Sequence, residues 1–230
     1  MKVVLLVRSY NRPEYLRETL DSILKSDIDL CIKRYIYDDG SDNADTIDIL
    51  NDEKYINVFS KEFEVIFNDK NVGCKQSYMN ALTYLKEKHS NDCLINTIDN
   101  DVNVKSNFIS EIVNKYMKAY NFYKHDKILF TGFNSSNTHN KRNIKYKEND
   151  EFKDFYRKTS MGAVNYVFHN TFIDEIVKSW SGRVDWGVNR YMNDNNYPML
   201  CFNKSILNHI GEDGLFSRKG RYDHDINFDN

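Results

Sequence analysis

The stretch Cys93-Leu94-Ile95-Asn96-Thr97-Ile98-Asp99-Asn100-Asp101 runs from an apolar segment straight into two carboxylates one residue apart. Side chains two apart on a strand share a face, so Asp99 and Asp101 can converge on one hard cation while Asn100 points away. A polar turn after a strand uses the same residue types. The rest of the chain decides between that turn and a place where a metal and a diphosphate meet.

Working outward, apolar runs at 2–7, 31–37, 64–67 and 128–133 join 93–98 as strands, and amphipathic helical patterns at 13–26, 73–89 and 108–120 lie between them. This alternation predicts βαβ units, hence an α/β fold with a Rossmann-like, mostly parallel sheet flanked by helices. Pro13 stands at a helix first turn, with Tyr15, Leu16, Leu20, Ile23 and Leu24 along one face. Residues 134–149 are rich in Asn, Ser, Lys and Arg without a period, which predicts a long exposed loop or hairpin. A strand at 162–168, helices at 171–180 and 186–195, and a polar tail at 212–230 follow. The chain reads as one domain, 1–230, with a nucleotide-binding half at 1–130, a smaller mixed half at 131–211, and a tail that is either frayed or a lid.

Lys and Arg number 32 against 34 Asp and Glu, for a net charge of −2, so no polycationic surface is offered to nucleic acid and a small-molecule partner is expected. Met1-Lys2 followed by Val3 to Val7 imitates a signal peptide, but the apolar run stops at Arg8 without a cleavage site and reads as a first strand. No run approaches the about 20 apolar residues of a membrane span. Cys31, Cys74, Cys93 and Cys201 form no C-x-x-C pair, which suits reduced thiols packed as small apolar groups in a cytoplasmic protein.

In open parallel sheets, ligands sit beyond the carboxyl ends of the strands. Three polar groups fall there: Ser9-Tyr10-Asn11-Arg12-Pro13, Asp38-Asp39-Gly40-Ser41-Asp42 and Asp99-Asn100-Asp101. With residues 4–16, the segment Tyr37 to Ser41, Asn71-Val72-Gly73 followed by Asn80, the D-x-D of Asp99 and Asp101, and Asn208-His209-Ile210-Gly211, the chain resembles the family-two glycosyltransferases of the GT-A fold. The likeness is strongest over 3–110 and weakest over 134–200. It implies a metal-dependent glycosyltransferase, using Mn²⁺ or Mg²⁺, that moves a sugar with inversion from a nucleotide-diphosphate donor, UDP favoured, to a hydroxyl of a glycan or other acceptor.

A nucleotide sugar presents a base, a ribose diol and a diphosphate whose charge a bound cation neutralises as a Lewis acid. On the resemblance, Asp39 accepts from a base N–H, while Asp38 bonds the turn backbone. Ser9, Tyr10, Asn11 and Arg12 cradle the nucleotide or cap the next helix, Asn100 belongs to the same binding group, and Lys75 reaches the nucleotide or is a solvated helix lysine. Asp101 is the direct metal ligand, with Asp99 bonding ribose hydroxyls or a metal-bound water. His209 adds an imidazole, a mixture that suits Mn²⁺ better than Ca²⁺.

The acceptor hydroxyl needs a carboxylate base. Asp185, in Ser181-Gly182-Arg183-Val184-Asp185-Trp186-Gly187, stands where the resembling family carries a Glu-Asp pair, and also fits a plain helix N-cap. Trp186 offers a face to a sugar ring or a core anchor, and Gly162-Ala163 a close backbone approach to the donor sugar or simple strand packing. In the tail, Arg218 and Lys219 would meet the phosphates, as a fork and a point charge, beneath a closing lid. Rival readings are a sugar-nucleotide hydrolase or nucleotidyltransferase, and a catalytically silent sugar-binding module. The chain is also compatible with being one domain of a larger protein.

Overall fold

The structure, a computed structural model, describes residues 1–56, 63–89, 92–135, 144–145, 155–180, 184–212, 225 and 228. Strands β1 (Lys2–Ser9), β2 (Cys31–Asp38), β3 (Glu64–Phe67) and β4 (Cys93–Asp99) alternate with helices α1 (Pro13–Leu24), α2 (Ala44–Leu50), α3 (Glu53–Ile56) and α4 (Cys74–Lys88). Then follow β5 (Val102–Val104), α5 (Phe108–Tyr123), β6 (Leu129–Thr131), β7 (Ile144–Lys145), β8 (Phe155–Arg157), β9 (Asn165–His169), α6 (Ile173–Ser179), α7 (Val184–Asp194), β10 (Met199–Phe202) and β11 (Leu207–His209).

Among the described residues one sheet of nine strands runs in the order β3-β2-β1-β4-β9-β6-β10-β8-β7. Its first four strands are parallel, and β4 then pairs antiparallel with β9. Beyond that joint the sheet is mixed: β10 runs parallel to β6 and antiparallel to β8. The α/β fold, mostly parallel with a smaller mixed region, is thus the observed one.

Burial of both faces of the pleat explains why β1 is apolar from Val3 to Val7. Val3, Leu5 and Val7 pack with Leu16, Leu20 and Ile23 of α1 and with α5, while Val4 and Leu6 face Tyr78, Leu82 and Leu85 of α4. These β1 side chains are fully buried, and each contributes about 1.5–3 kcal/mol relative to exposure. On α1 the spacing 16, 20, 23 places the apolar stripe on one face behind Pro13 in the first turn.

Several expectations need correction. The strand expected at 162–168 begins at Asn165, leaving 162–164 irregular. Cys31, Cys93 and Cys201 are buried thiols, but Cys74 is exposed, because it opens α4 at the rim of the sheet. Of the tail, Asp225 bridges to Ser135 and Phe228 sits under the Lys105 ammonium, 5.3 Å from the ring centroid. Among the described residues no helix is long and apolar enough to cross a membrane.

Candidate functional site

Beyond the carboxyl end of β1 the chain makes a strained turn. Asn11 and Arg12 take φ of 49° and 62°, a left-handed conformation that non-glycine residues hold only where their surroundings over-determine it. The Asn11 side chain supplies that determination: its Nδ2 donates to Asp42 Oδ1 (2.9 Å), and its Oδ1 accepts from the backbone N–H groups of Asp42 (3.2 Å) and Asn43 (3.1 Å). Its own N–H donates to Ser41 Oγ (2.7 Å), and its carbonyl accepts from Asn100 Nδ2 (3.1 Å). Asn11 and Asn100 therefore bind the three strand ends to one another.

Asp38 accepts from Ser41 N and Oγ, both at 2.7 Å, as a turn-bonding carboxylate should. Asp39 is fully bonded within the protein. Its Oδ1 accepts from Asn68 Nδ2 (2.9 Å) and Val72 N (3.0 Å), and its Oδ2 from Asn71 Nδ2 and Gly73 N (3.0 Å each). A carboxylate has about four acceptor positions, so a nucleotide base could bond Asp39 only by displacing one of these. As built, Asp39 holds the loop that follows β3.

The two carboxylates of the D-x-D each face a guanidinium. Arg8, the last-but-one residue of β1, is ion-paired with Asp99 and donates from Nη2 to the Ala163 carbonyl (2.6 Å). Its guanidinium also lies 4.1 Å from the Tyr78 ring centroid. Arg12 Nη1 donates to Asp101 Oδ2 at 2.6 Å, and His209 Nε2 lies 3.3 Å from the same oxygen. The ribbon of β5 and β11 brings His209 there, because it sets His209 opposite Val102, the residue after Asp101. Burial alone would raise the Asp101 carboxyl, but His209 and Arg12 outweigh it and hold it below the usual carboxylate range. Burial raises the Asp99 carboxyl above its usual value, and the neighbouring Asp101 charge adds to that despite Arg8. Gly211 closes the floor: a Cβ there would lie 2.1 Å from Asp101 Oδ2 and 2.8 Å from Arg12 Nη2.

Buried polar groups in folded proteins are nearly all hydrogen-bonded. Here Arg8 Nε, Ser9 Oγ, Arg12 Nη2 and Asp101 Oδ1 are buried and without a partner among the described residues, and all four belong to the ends of β1 and β4. Among the described residues no three His, Cys, Asp or Glu side chains already stand at ligand spacing. Asp101, 6 % exposed, nevertheless offers an unpartnered carboxylate oxygen beside an imidazole, which in kind fits Mn²⁺ or Mg²⁺.

In the second half of the chain, Asp185 and Trp186 lie in the first turn of α7, and Asp185 Oδ1 accepts from the Trp186 N–H (3.0 Å). Trp186 is 57 % exposed, so it is no core anchor; Trp180 takes that part against Tyr78, with ring centroids 4.7 Å apart. Burial pushes the Tyr166 hydroxyl well above its usual value, and the Asp185 charge adds to the shift, as do Tyr78 and Asp99. A Cβ at Gly162 would meet nothing within 4 Å among the described residues. Lys75 lies half-buried in the first turn of α4. Arg218 and Lys219 lie outside the described residues. Sequence reasoning missed Arg8, whose signal was a charge inside a buried strand, a position where arginine is rare unless paired.

A family model described as "Glycosyl transferase family 2" matches residues 5–177. No curated protein matches the sequence. Among solved structures, GalNAc-T7 crystallised with UDP, GalNAc and Mn²⁺ is similar over 96 % of this chain at 14 % identity, with a TM-score of 0.67. A 1–349 fragment of S. aureus TarS in complex with UDP-GlcNAc is similar over 90 % of this chain at 14 % identity, with a TM-score of 0.56. This chain spans 45 % of the former and 58 % of the latter. At such identities the likeness shows the fold.

Proposed function

The chain belongs to glycosyl transferase family 2, and on that premise we propose that it moves a sugar from a uridine-diphosphate donor to a hydroxyl of a glycan or other acceptor, with a divalent metal and with inversion. The observation that carries this reading is the group of unpartnered buried polar atoms at the ends of β1 and β4, where a polar ligand would complete them. Solved structures that share the fold hold UDP, GalNAc and Mn²⁺ in one case and UDP-GlcNAc in another, which supports the donor class.

Asp101 and His209, with Asp99 beside them, would hold Mn²⁺ or Mg²⁺, which when bound supplies Lewis-acid neutralisation of the leaving diphosphate. Ser9, Tyr10 and Lys75 bind the nucleotide from the strand ends and the start of α4. Arg12 and Arg8, the guanidinium groups beside Asp101 and Asp99, would meet the diphosphate. Asp185 takes the proton from the acceptor hydroxyl as its oxygen bonds the anomeric carbon from the face opposite the departing diphosphate. Trp186 stacks on the acceptor sugar. Asn11, Asp39 and Asn100 shape the crevice. Four unbridged cysteines favour a cytoplasmic setting.

A thermal-shift panel of UDP-, dTDP- and GDP-sugars with Mn²⁺ tests the reading. At 100 times its dissociation constant the true donor should stabilise the fold by about 2.7 kcal/mol. Product analysis with and without acceptor then separates transfer from hydrolysis or silent binding. Stabilisation by no nucleotide sugar would overturn the proposal.

A further inference from the structure

As built, the D-x-D is already neutral. Asp99 is paired with Arg8 and Asp101 with Arg12, so each carboxylate has its own guanidinium. A lone divalent cation entering this partly buried crevice brings two positive charges to the side of two others at contact range, where such repulsion is less screened than in bulk water. A nucleotide diphosphate brings the negative charge that offsets the metal. Charge counting alone therefore favours joint arrival over either alone.

The two arginines are held differently. Arg8 is fixed on several sides, by Asp99, the Ala163 carbonyl and the Tyr78 ring. Arg12 touches Asp101 through Nη1 only and rests on Tyr15, 4.3 Å from the ring centroid, while its buried Nη2 has no partner among the described residues. The left-handed turn at Asn11 and Arg12 aims this guanidinium at Asp101 Oδ2, the oxygen that His209 also approaches, while Asp101 Oδ1 is left without a partner. Arg12 thus lies where a metal on Asp101 and His209 would need room. A guanidinium is also the cation best shaped to fork two phosphate oxygens.

We propose that Arg12 is a resident counter-cation of Asp101 that keeps the lone metal out and yields the carboxylate when a nucleotide diphosphate draws its guanidinium away. Metal and donor then bind synergistically, and Arg12 moves from carboxylate to phosphate. This deepens the metal-dependent reading above and rests on it.

Mn²⁺ binding, followed by the electron paramagnetic resonance signal of free Mn²⁺ with and without UDP, tests this apart from catalysis. In the wild-type protein UDP should tighten Mn²⁺ binding by about 5- to 150-fold, the usual span of site-to-site coupling. Arg12→Gln should bind Mn²⁺ alone at least about tenfold more tightly than wild type and lose most of that coupling. Arg12→Lys, which restores the charge, should return towards wild type. Equal wild-type affinity with and without UDP overturns the proposal and needs no variant. So does an Arg12→Gln protein, folded by circular dichroism, that binds Mn²⁺ alone no more tightly than wild type. Absence of Mn²⁺ binding even with UDP, or its persistence in Asp101→Ala, overturns the metal reading itself.

Discussion

Asp39→Asn exchanges one carboxylate oxygen for an amide nitrogen, and the structure says what that does. Oδ1 and Oδ2 each accept two bonds, at 2.9 to 3.0 Å, from two side-chain amides and two backbone N–H groups. The asparagine keeps one oxygen, so two bonds vanish and an NH₂ group is turned towards two donors. Hydrogen bonds to a charged acceptor are worth about 1.5–3 kcal/mol each, so the loss is roughly 3–6 kcal/mol. Relaxation by collapse of the loop is blocked, because the backbone at Lys70 and Asn71 already lies against Gly40. A Cβ at Gly40, where φ is 69°, would meet the Lys70 carbonyl carbon at 2.4 Å. With total stability of about 5–15 kcal/mol, the variant should sit near the edge of folding, with Tm lowered by roughly 6–24 °C. Urea denaturation measures the loss, and amide hydrogen exchange at Val72 and Gly73 locates it. A variant within about 1 kcal/mol of wild type, with those two amides still protected, would refute the loop-holding role and return Asp39 to base recognition.

Three further outcomes follow from the same geometry. Asp101→Ala should keep the fold but lose the Mn²⁺-dependent part of the about 2.7 kcal/mol that donor contributes at 100 times its dissociation constant; full turnover with EDTA present would contradict it. Asp185→Asn should bind donor as wild type does yet transfer about 10²–10⁴-fold more slowly, since an amide cannot accept the proton. Transfer at the wild-type rate would move the base to another carboxylate such as Asp194. Gly211→Ala, with its Cβ 2.1 Å from Asp101 Oδ2, should cost about 1–3 kcal/mol of stability and weaken Mn²⁺ binding in the presence of UDP; unchanged metal affinity would show that Asp101 is not where the metal binds.

The first half of the fold was legible because β1, β2 and β4 are largely buried on both faces and its helices carry one apolar stripe, so each element announces its own period. Short elements were not: β5 and β11, at three residues each, are too brief to show alternation. Yet that ribbon carries His209 to Asp101, so sequence could name both residues without showing what joins them. Asp39 and Asp101 share a residue type and a position after a strand. What separates them is the count of donors converging on each, four in one case and an unpartnered oxygen in the other, and most of those donors come from loops that sequence does not place.

Arg8 shows the same point from the packing side. At β4 the sheet passes from parallel to antiparallel pairing, and the crevice lies over that joint. Two buried devices hold it. Asn165 donates to Asn96 Oδ1 and the Thr97 carbonyl while accepting from Gly132 N, so one amide ties β4, β9 and the end of β6. Arg8 ties β1 through Asp99 to β4 and through the Ala163 carbonyl to the approach of β9, where Asp99 N also donates to Val164 O (3.1 Å). A charge so deep in a central strand is costly unless paired and bonded, and here its partners come from both halves of the sheet. Arg8 therefore does two jobs that pull in one direction. It fixes Asp99 relative to the 162–164 segment, and on the proposal above it would keep a permanent cation at the crevice once Arg12 has left Asp101.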